Sequence, residues 1–182
     1  MLLVVIQWKG KFGDFTGTPV FCPAGSFVHG YQLEGLSDQN NGDDTALTGI
    51  QLLCAKDGTR TKTLQSKPWK KKGTYLSEPE WCSNAVVGFD VMSEGSQGPG
   101  DDTGLNKVDL YCKRCDDNKC GTSDWISAEV KMSRGEWKIP QFCSQGFAVV
   151  GLRTQHGVDY SHKYVKDDAG LTGVELYCDK FL

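Results

Sequence analysis

Three Asp-Asp pairs are the first residues of this sequence that could carry chemistry. They recur ahead of three similar segments, as Asp43-Asp44, Asp101-Asp102 and Asp167-Asp168. Two carboxyl groups about 5–9 Å apart can break or transfer a glycosidic bond, but adjacent residues of an extended chain point to opposite faces. Asp side chains also hydrogen-bond backbone N–H groups two residues further on, and a single active site needs no triplication. We therefore predict a structural turn role for all six aspartates and no catalytic residue.

Two other clusters could bind a ligand. The segment from 155 to 164 contains His156, Tyr160, His162 and Tyr164, and Trp69 lies among four lysines between 67 and 72. Aromatic rings with polar tips can pack against sugar rings and hydrogen-bond their hydroxyl groups. Lysines around a tryptophan could hold an acidic glycan or partner. These five residues are the candidate ligand-binding residues, and the alternative is a solvated loop and a solvated linker.

Eight cysteines, an even number in a glycine-rich chain, indicate disulfide bonds and an oxidising compartment. The sequence repeats in three units, and each unit has one cysteine shortly after a proline and one at the end of its Asp-Asp segment. This predicts the pairs Cys22–Cys54, Cys82–Cys112 and Cys143–Cys178, and it leaves Cys115 and Cys120 for each other. Zinc binding by the three cysteines between 112 and 120 is the alternative. Since the repeat assigns Cys112 to its own bridge, and no nucleophile motif or phosphate-binding loop is present, we expect neither metal nor cofactor.

The repeat also predicts the fold. Three segments align without a gap, Asp43–Cys54, Asp101–Cys112 and Asp167–Cys178, and the similarity extends into units at about 7–60, 66–115 and 124–180 of one domain, 1–182. Apolar and polar residues alternate in these segments, which indicates half-buried antiparallel strands, and no helical stripe is present. We predict an all-β protein in which three sheets surround a pseudo-threefold axis and share one core. A β-trefoil is the structural alternative.

An aromatic residue precedes the first cysteine of every unit. These residues are Phe21, Trp81 and Phe142. Because they recur by unit, we expect them to fill the core rather than to bind a ligand.

Charge and hydropathy limit the function further. The 182 residues carry a formal net charge of −3 and give a pI near 5.6, which argues against a broad basic surface for nucleic acid. No apolar run approaches the roughly 18 residues of a transmembrane helix. The longest run, Met1–Ile6, is expected to be a first strand, with the stub of a secretory signal as the alternative.

The order of these motifs resembles the vitelline membrane outer layer protein I family. The clearest stretches are Gly42–Cys54, Gly73–Cys82 and Gly135–Cys143, and the resemblance covers nearly the whole chain. It implies a β-prism of three Greek-key antiparallel sheets, four disulfides, secretion, and a role in an extracellular coat such as the outer layer of the egg's vitelline membrane. This chain departs from the family pattern at Cys115 and Cys120: the repeat leaves these two cysteines for each other, whereas the resemblance does not place the family's extra bridge there.

We therefore expect a secreted structural or interaction component of an extracellular coat or matrix, non-enzymatic, whose partners are coat proteins, glycans or both. Self-assembly of the protein is left open. One alternative is a lectin-like module that binds glycans through loops at the ends of the sheets. Another is a weak transferase acting on chito-oligosaccharides, which the resemblance implies. Such an enzyme needs a carboxyl pair with one raised pKa, contributed by residues that do not repeat.

Overall fold

The computed structural model describes residues 3–10, 13–15, 17–37, 46–65, 73–94, 104–116, 119–131, 134–159 and 167–181. For residues 114–116, 119–123, 158–159 and 167–169 it describes the backbone alone. Every regular element in these segments is a β-strand, so the all-β prediction is confirmed. Within the same segments, no helix is long and apolar enough to cross a membrane.

The described residues form fifteen β-strands. In order they are β1 Val4–Lys9, β2 Asp14–Phe15, β3 Val20–Phe21, β4 Phe27–Gly35, β5 Leu47–Lys56, β6 Thr59–Gln65, β7 Tyr75–Leu76, β8 Glu80–Trp81, β9 Val86–Ser93, β10 Leu105–Asp116, β11 Lys119–Ser127, β12 Glu136–Trp137, β13 Gln141–Phe142, β14 Phe147–Asp159 and β15 Asp167–Lys180. The residues expected to open the fold as a strand, up to Ile6, belong to β1 from Val4 onward.

The strands form three antiparallel sheets with the same internal order. The first sheet runs β6-β5-β4-β7, the second β11-β10-β9-β12 and the third β1-β15-β14-β2, and β8, β13 and β3 also pair with β4, β9 and β14. Counted along the chain, the strands of the first and second sheets have the spatial order 4-1-2-3, which defines a Greek key. The third sheet has this order when the C-terminal strands are followed by the N-terminal ones.

The sheets do not coincide with the sequence repeats. The short strands that open each repeat pair with the sheet of the preceding repeat, and β1 pairs with β15 to complete the third sheet. The matching strands β4, β9 and β14 contact one another around the axis. Each repeat therefore divides its strands between two neighbouring sheets. The arrangement is a β-prism, as the resemblance predicts, and not a β-trefoil.

The inward faces of all three sheets meet in one hydrophobic core. The alternate residues predicted to share a face are all buried in it: Ile50, Leu52, Cys54, Val108, Leu110, Cys112, Val174, Leu176 and Cys178. Tyr31 of the first sheet is also fully buried, and it binds the backbone of the second sheet. Its hydroxyl donates to the carbonyl oxygen of Val108 at 2.7 Å and accepts from the N–H of Ala128 at 2.7 Å. Burial raises the pKa of Tyr31, so the hydroxyl keeps its proton as a donor.

Three disulfides join neighbouring sheets. Cys22 follows β3 of the third sheet and is bonded to Cys54 in β5 of the first sheet. The pairs Cys82–Cys112 and Cys143–Cys178 repeat this step from the first sheet to the second and from the second to the third. The three predicted pairs are confirmed, and together they hold the sheets around the axis. Cys115 and Cys120 stand opposite each other in the β10–β11 ladder, but their side chains lie outside the described residues, so their bond stays a prediction.

Candidate functional site on the outer face of the second sheet

An aromatic ring lies over a glycine on the outer face of every sheet. Gly30, Gly88 and Gly151 have matching positions in β4, β9 and β14, and their partners on the short strands are Trp81, Phe142 and Phe21. A Cβ atom on any of these glycines would collide with the facing ring. The prediction that the three aromatic residues fill the core is wrong. Trp81 and Phe142 are each 43% exposed, because the glycines leave room for the rings on the outside of the sheet.

In the second sheet this feature extends into a row of aromatic side chains. Trp125 in β11, Tyr111 in β10 and Phe142 in β13 occupy successive places across the sheet, with Gly88 between the last two. The ring centroids of Tyr111 and Phe142 are 4.9 Å apart, and Trp125 is 63% exposed. Three strand spacings, about 14 Å, separate Trp125 from Phe142. The row therefore presents ring surface to solvent across the width of the sheet.

Two carboxylates face each other one step along the strands from this aromatic row. Asp90 in β9 and Asp109 in β10 are direct ladder partners, and Ser127 in β11 is the next residue across. Opposite residues of an antiparallel pair have Cβ atoms about 4.5–5.5 Å apart. Both aspartates are buried, and burial raises the pKa of each carboxyl group, in Asp109 with a contribution from the charge of Asp90.

The hydrogen bonds of the aspartate pair are incomplete. The backbone N–H of Val91 donates to Asp90 at 2.7 Å, and the Ser127 side chain hydrogen-bonds to Asp109. The Oδ1 atom of Asp109 accepts no hydrogen bond from a described residue, and the Nζ of Lys107 lies 3.9 Å from it. A buried acceptor without a donor costs about 1–3 kcal/mol. A ligand or proton that brings a donor to this place would therefore be stabilised.

A third row completes the face. Lys107 in β10 and Trp137 in β12 both pair with Met92 in β9, and the Nζ of Lys107 lies 5.9 Å from the centroid of the Trp137 ring. Trp137 is 43% exposed, and Ile139, between β12 and β13, is 81% exposed. The face thus has two rows with exposed rings and a polar row between them.

The matching positions on the other two sheets carry different pairs. In the third sheet Arg153 faces Glu175, and its guanidinium donates to both carboxylate oxygens at 2.8 and 2.9 Å. The Tyr177 hydroxyl donates to the same carboxylate. In the first sheet Gln32 faces Gln51. Among these three matching positions, a pair of like charges occurs in the second sheet alone.

Of the five predicted ligand-binding residues, the structure describes one. His156 is half buried in β14, and its Nε2 lies 3.2 Å from the carbonyl oxygen of Thr48 in β5, at the junction of the third and first sheets. The other four, Trp69, Tyr160, His162 and Tyr164, lie outside the described residues. A ligand-binding role for the five therefore stays a prediction.

The structure describes no side chain of the six aspartates in the repeated pairs. Asp43, Asp44, Asp101 and Asp102 lie outside the described residues, and of Asp167 and Asp168 the structure describes only the backbone, in β15. Their turn role stays a prediction. Across the part of the chain that is described, no group of three or more His, Cys, Asp and Glu side chains is placed to hold a metal ion.

Sequence reasoning missed the outer face of the second sheet. Part of the signal was available, because Asp109 takes the outward place that Gln51 and Glu175 have in the other repeats. The missing information was the register between β9 and β10, which brings Asp90 opposite Asp109. Trp125 gave no signal, since the segment that forms β11 lies outside the aligned motifs.

Comparison with known proteins gives a family-level match. A sequence model of the family described as vitelline membrane outer layer protein I matches residues 3–181. The chain is 31% identical to the mouse (Mus musculus) vitelline membrane outer layer protein 1 homolog and 30% identical to the human (Homo sapiens) one. Each match covers 97% of this chain and 82% of the relative.

Two solved structures with a similar fold are lectins. A mannose-binding lectin from Champedak has a TM-score of 0.51 at 9% identity, covering 98% of both chains. A mannose-specific jacalin-related lectin from Morus nigra, solved with mannose, has a TM-score of 0.52 at 9% identity, covering 98% of this chain and 96% of the lectin. At this identity the likeness concerns the fold alone, and it agrees with three antiparallel sheets around one axis.

Proposed function

This chain belongs to the vitelline membrane outer layer protein I family, and from that premise we propose that it is a secreted structural and interaction component of an extracellular coat or matrix, without enzymatic activity. The observation that carries the proposal is the set of three disulfides that link the sheets in sequence around the axis. Disulfides persist in oxidising extracellular surroundings and are rare in the cytosol. A protein held together in this way is suited to long residence outside a cell.

The disulfides support this role through their effect on unfolding. They connect cysteines 32, 30 and 35 residues apart, and closing loops of that size contributes about 3–4 kcal/mol each in the chain-entropy model. Because each bond also joins two sheets, opening one sheet edge does not release the others. The population of opened conformations that proteases can cleave is therefore small.

Localisation and thiol labelling test the proposed function together. Antibodies against the chain should label an extracellular layer in tissue that makes the protein. Material extracted under denaturing conditions should react with a thiol reagent only after reduction. Cross-linking in the intact layer should join the protein to other coat components, or to itself if it assembles. Intracellular staining with thiols that react without reduction would remove the proposal.

A lectin-like role is a second candidate function, and the outer face of the second sheet favours it. Exposed rings with polar groups placed between them are typical of sites that recognise sugars. This role is compatible with the first, because a coat component can be anchored through glycans. Binding of neutral oligosaccharides, measured by calorimetry on the purified protein, tests it independently of localisation.

A further inference from the structure

We propose that the outer face of the second sheet binds a neutral carbohydrate chain, with Trp125, Phe142 and Trp137 packing against sugar rings and the pair Asp90–Asp109 accepting hydrogen bonds from sugar hydroxyls. The inference rests on the lectin-like candidate function and not on the coat role. It differs from the sequence-based expectation of binding by loops at the sheet ends, because it places the ligand on the strands themselves.

The distribution of the rings fits a carbohydrate better than a protein partner. Trp125 and Phe142 lie about 14 Å apart across the strands, and Trp137 lies four residues along the sheet from the row that contains Phe142. Between these exposed rings runs the polar row of Ser127, Asp109 and Asp90. The centre of a protein–protein interface is usually a continuous apolar patch depleted of charge. A sugar chain instead alternates apolar ring faces with hydroxyl groups, as this face alternates rings and acceptors.

The aspartate pair indicates that the ligand needs a neutral hydrogen-bond donor. Ionised carboxylates are acceptors only, and the Oδ1 of Asp109 lacks a donor among the described residues. A hydroxyl group can supply that donor once the flexible side chain of Lys107, whose Nζ lies 3.9 Å away, moves aside. An acidic ligand would be repelled by two carboxylates. A cationic ligand would have to give up its own hydration in a partly buried place, which is costly for charged groups. A neutral hydroxyl-rich ligand avoids both penalties.

The other two sheets have the same scaffold but a different pair of residues at its centre. In the third sheet, Glu175 is already bonded to Arg153 and Tyr177. In the first sheet, Trp81 occupies the place of Phe142 and is equally exposed, but Gln32 and Gln51 occupy the places of the aspartates. Trp81 is therefore a matched control for a ring on the second sheet.

The test is calorimetric titration of the disulfide-bonded protein with hexasaccharides of β-linked glucose and of β-linked mannose. We expect saturable binding to at least one of them with a Kd of about 1 mM or tighter, with shifts of the Trp125 and Trp137 indole N–H signals in NMR spectra. Trp125→Ala should weaken binding by about tenfold, which is typical of losing one well-packed aromatic contact. Trp81→Ala should leave the affinity unchanged. Thermal unfolding of both variants establishes that they are folded.

Three results would overturn the inference, and each has a different meaning. Absence of binding to both hexasaccharides at about 10 mM removes the site and the lectin-like candidate together, while the coat role is judged by localisation. Binding that is unchanged in both Trp125→Ala and Phe142→Ala keeps the lectin-like candidate and removes this site. Concentration-dependent dimerisation that Trp125→Ala abolishes, measured by sedimentation without sugar, shows that the face covers a second copy of the chain.

Discussion

At the centre of its outer face the third sheet pairs Arg153 with Glu175, whereas at the matching place the second sheet pairs Asp90 with Asp109. Both sheets have the same strand order and the same glycine beneath an aromatic ring. In the third sheet the charges are opposite and hydrogen-bonded. In the second sheet they are alike, and the Oδ1 of Asp109 is buried without a donor from any residue described.

The two pairs differ in what they contribute to the fold. The side chains of Arg153 and Glu175 satisfy each other, whereas Asp90 and Asp109 do not. The inward residues of both sheets fill one core, so the same strand arrangement forms with different residue pairs at the outward positions. The third sheet uses its outward pair to stabilise the sheet. The second sheet keeps a less stable arrangement, and binding sites commonly retain stability defects of this kind.

The largest loss of stability should come from breaking the Arg153–Glu175 pair in the third sheet. Glu175→Ala removes the partner of Arg153 and of the Tyr177 hydroxyl, in a place where the Glu175 side chain is only 5% exposed. We expect the free energy of unfolding to fall by about 2–3 kcal/mol, since a partly buried cation loses its counter-charge. Denaturant unfolding with the disulfides intact measures it. A loss below about 0.5 kcal/mol would mean that the third sheet does not gain stability from this pair.

The next largest loss of stability concerns a feature that the two sheets share, and it should be at least as large in the second sheet, where a Cβ on Gly88 would also meet the carbonyl oxygen of Gln141 at 2.6 Å. Gly88→Ala and Gly151→Ala each force the facing ring, Phe142 or Phe21, off the sheet. We expect each to cost about 2 kcal/mol through overpacking. In the double variant Gly151→Ala/Phe21→Ala the two closest contacts of the new Cβ are gone and the Val20 carbonyl oxygen at 3.1 Å becomes its nearest neighbour, so most of the loss caused by Gly151→Ala should disappear. If Gly88→Ala costs clearly less than Gly151→Ala, the sheets are less alike than their strand order indicates.

The framework could be predicted from the sequence, because it depends on features that repeat. The alternation ending at Cys54, Cys112 and Cys178 located the inward faces, and the same repeat paired these cysteines correctly. The exchange of the short opening strands between sheets was not visible, since β7 and β8 pair with the preceding sheet through backbone hydrogen bonds that leave no side-chain pattern.

The candidate site could not be predicted, because it depends on what does not repeat. Asp90 and Asp109 are 19 positions apart in sequence, and only the register of β9 with β10 makes them neighbours. The recurrence of Phe21, Trp81 and Phe142 suggested core residues, although a ring can be needed in every repeat to cover a glycine from outside. Recurrence therefore identified a structural role and not the degree of burial.

The third variant should raise the free energy of unfolding, whereas Glu175→Ala should lower it. Asp109→Asn keeps the shape of the side chain, removes one of two facing charges, and supplies an amide donor toward Asp90. We expect the variant to be more stable than the parent protein by about 1 kcal/mol at pH 7, measured by the same denaturant unfolding. A loss of stability instead would show that the Asp109 carboxylate is satisfied in solution, and that the two sheets do not differ in the way proposed.

The stability gain of Asp109→Asn should depend on pH in a definite direction. Burial raises the pKa of both Asp90 and Asp109 in the folded protein, so the folded state holds its protons more tightly than the unfolded state. The stability that this adds is fully present below about pH 4, the unfolded value, and is lost as pH rises through the raised pKa. Unfolding from pH 3 to pH 7 should therefore show the variant's advantage growing with pH. An advantage that is constant over this range would exclude titration of the pair as its cause.

The smallest effect on stability should come from the most exposed ring of the second sheet. Trp125 is 63% exposed, so Trp125→Ala removes little buried area and should change the free energy of unfolding by less than about 0.5 kcal/mol. Tyr177→Phe in the third sheet should cost about 1 kcal/mol, because it deletes a hydroxyl bonded to Glu175. The two variants thus compare a ring whose removal leaves folding unchanged with a hydroxyl that folding uses. If Trp125→Ala costs as much as Tyr177→Phe, the tryptophan is part of the packed structure, and its exposure no longer indicates a surface available to a ligand.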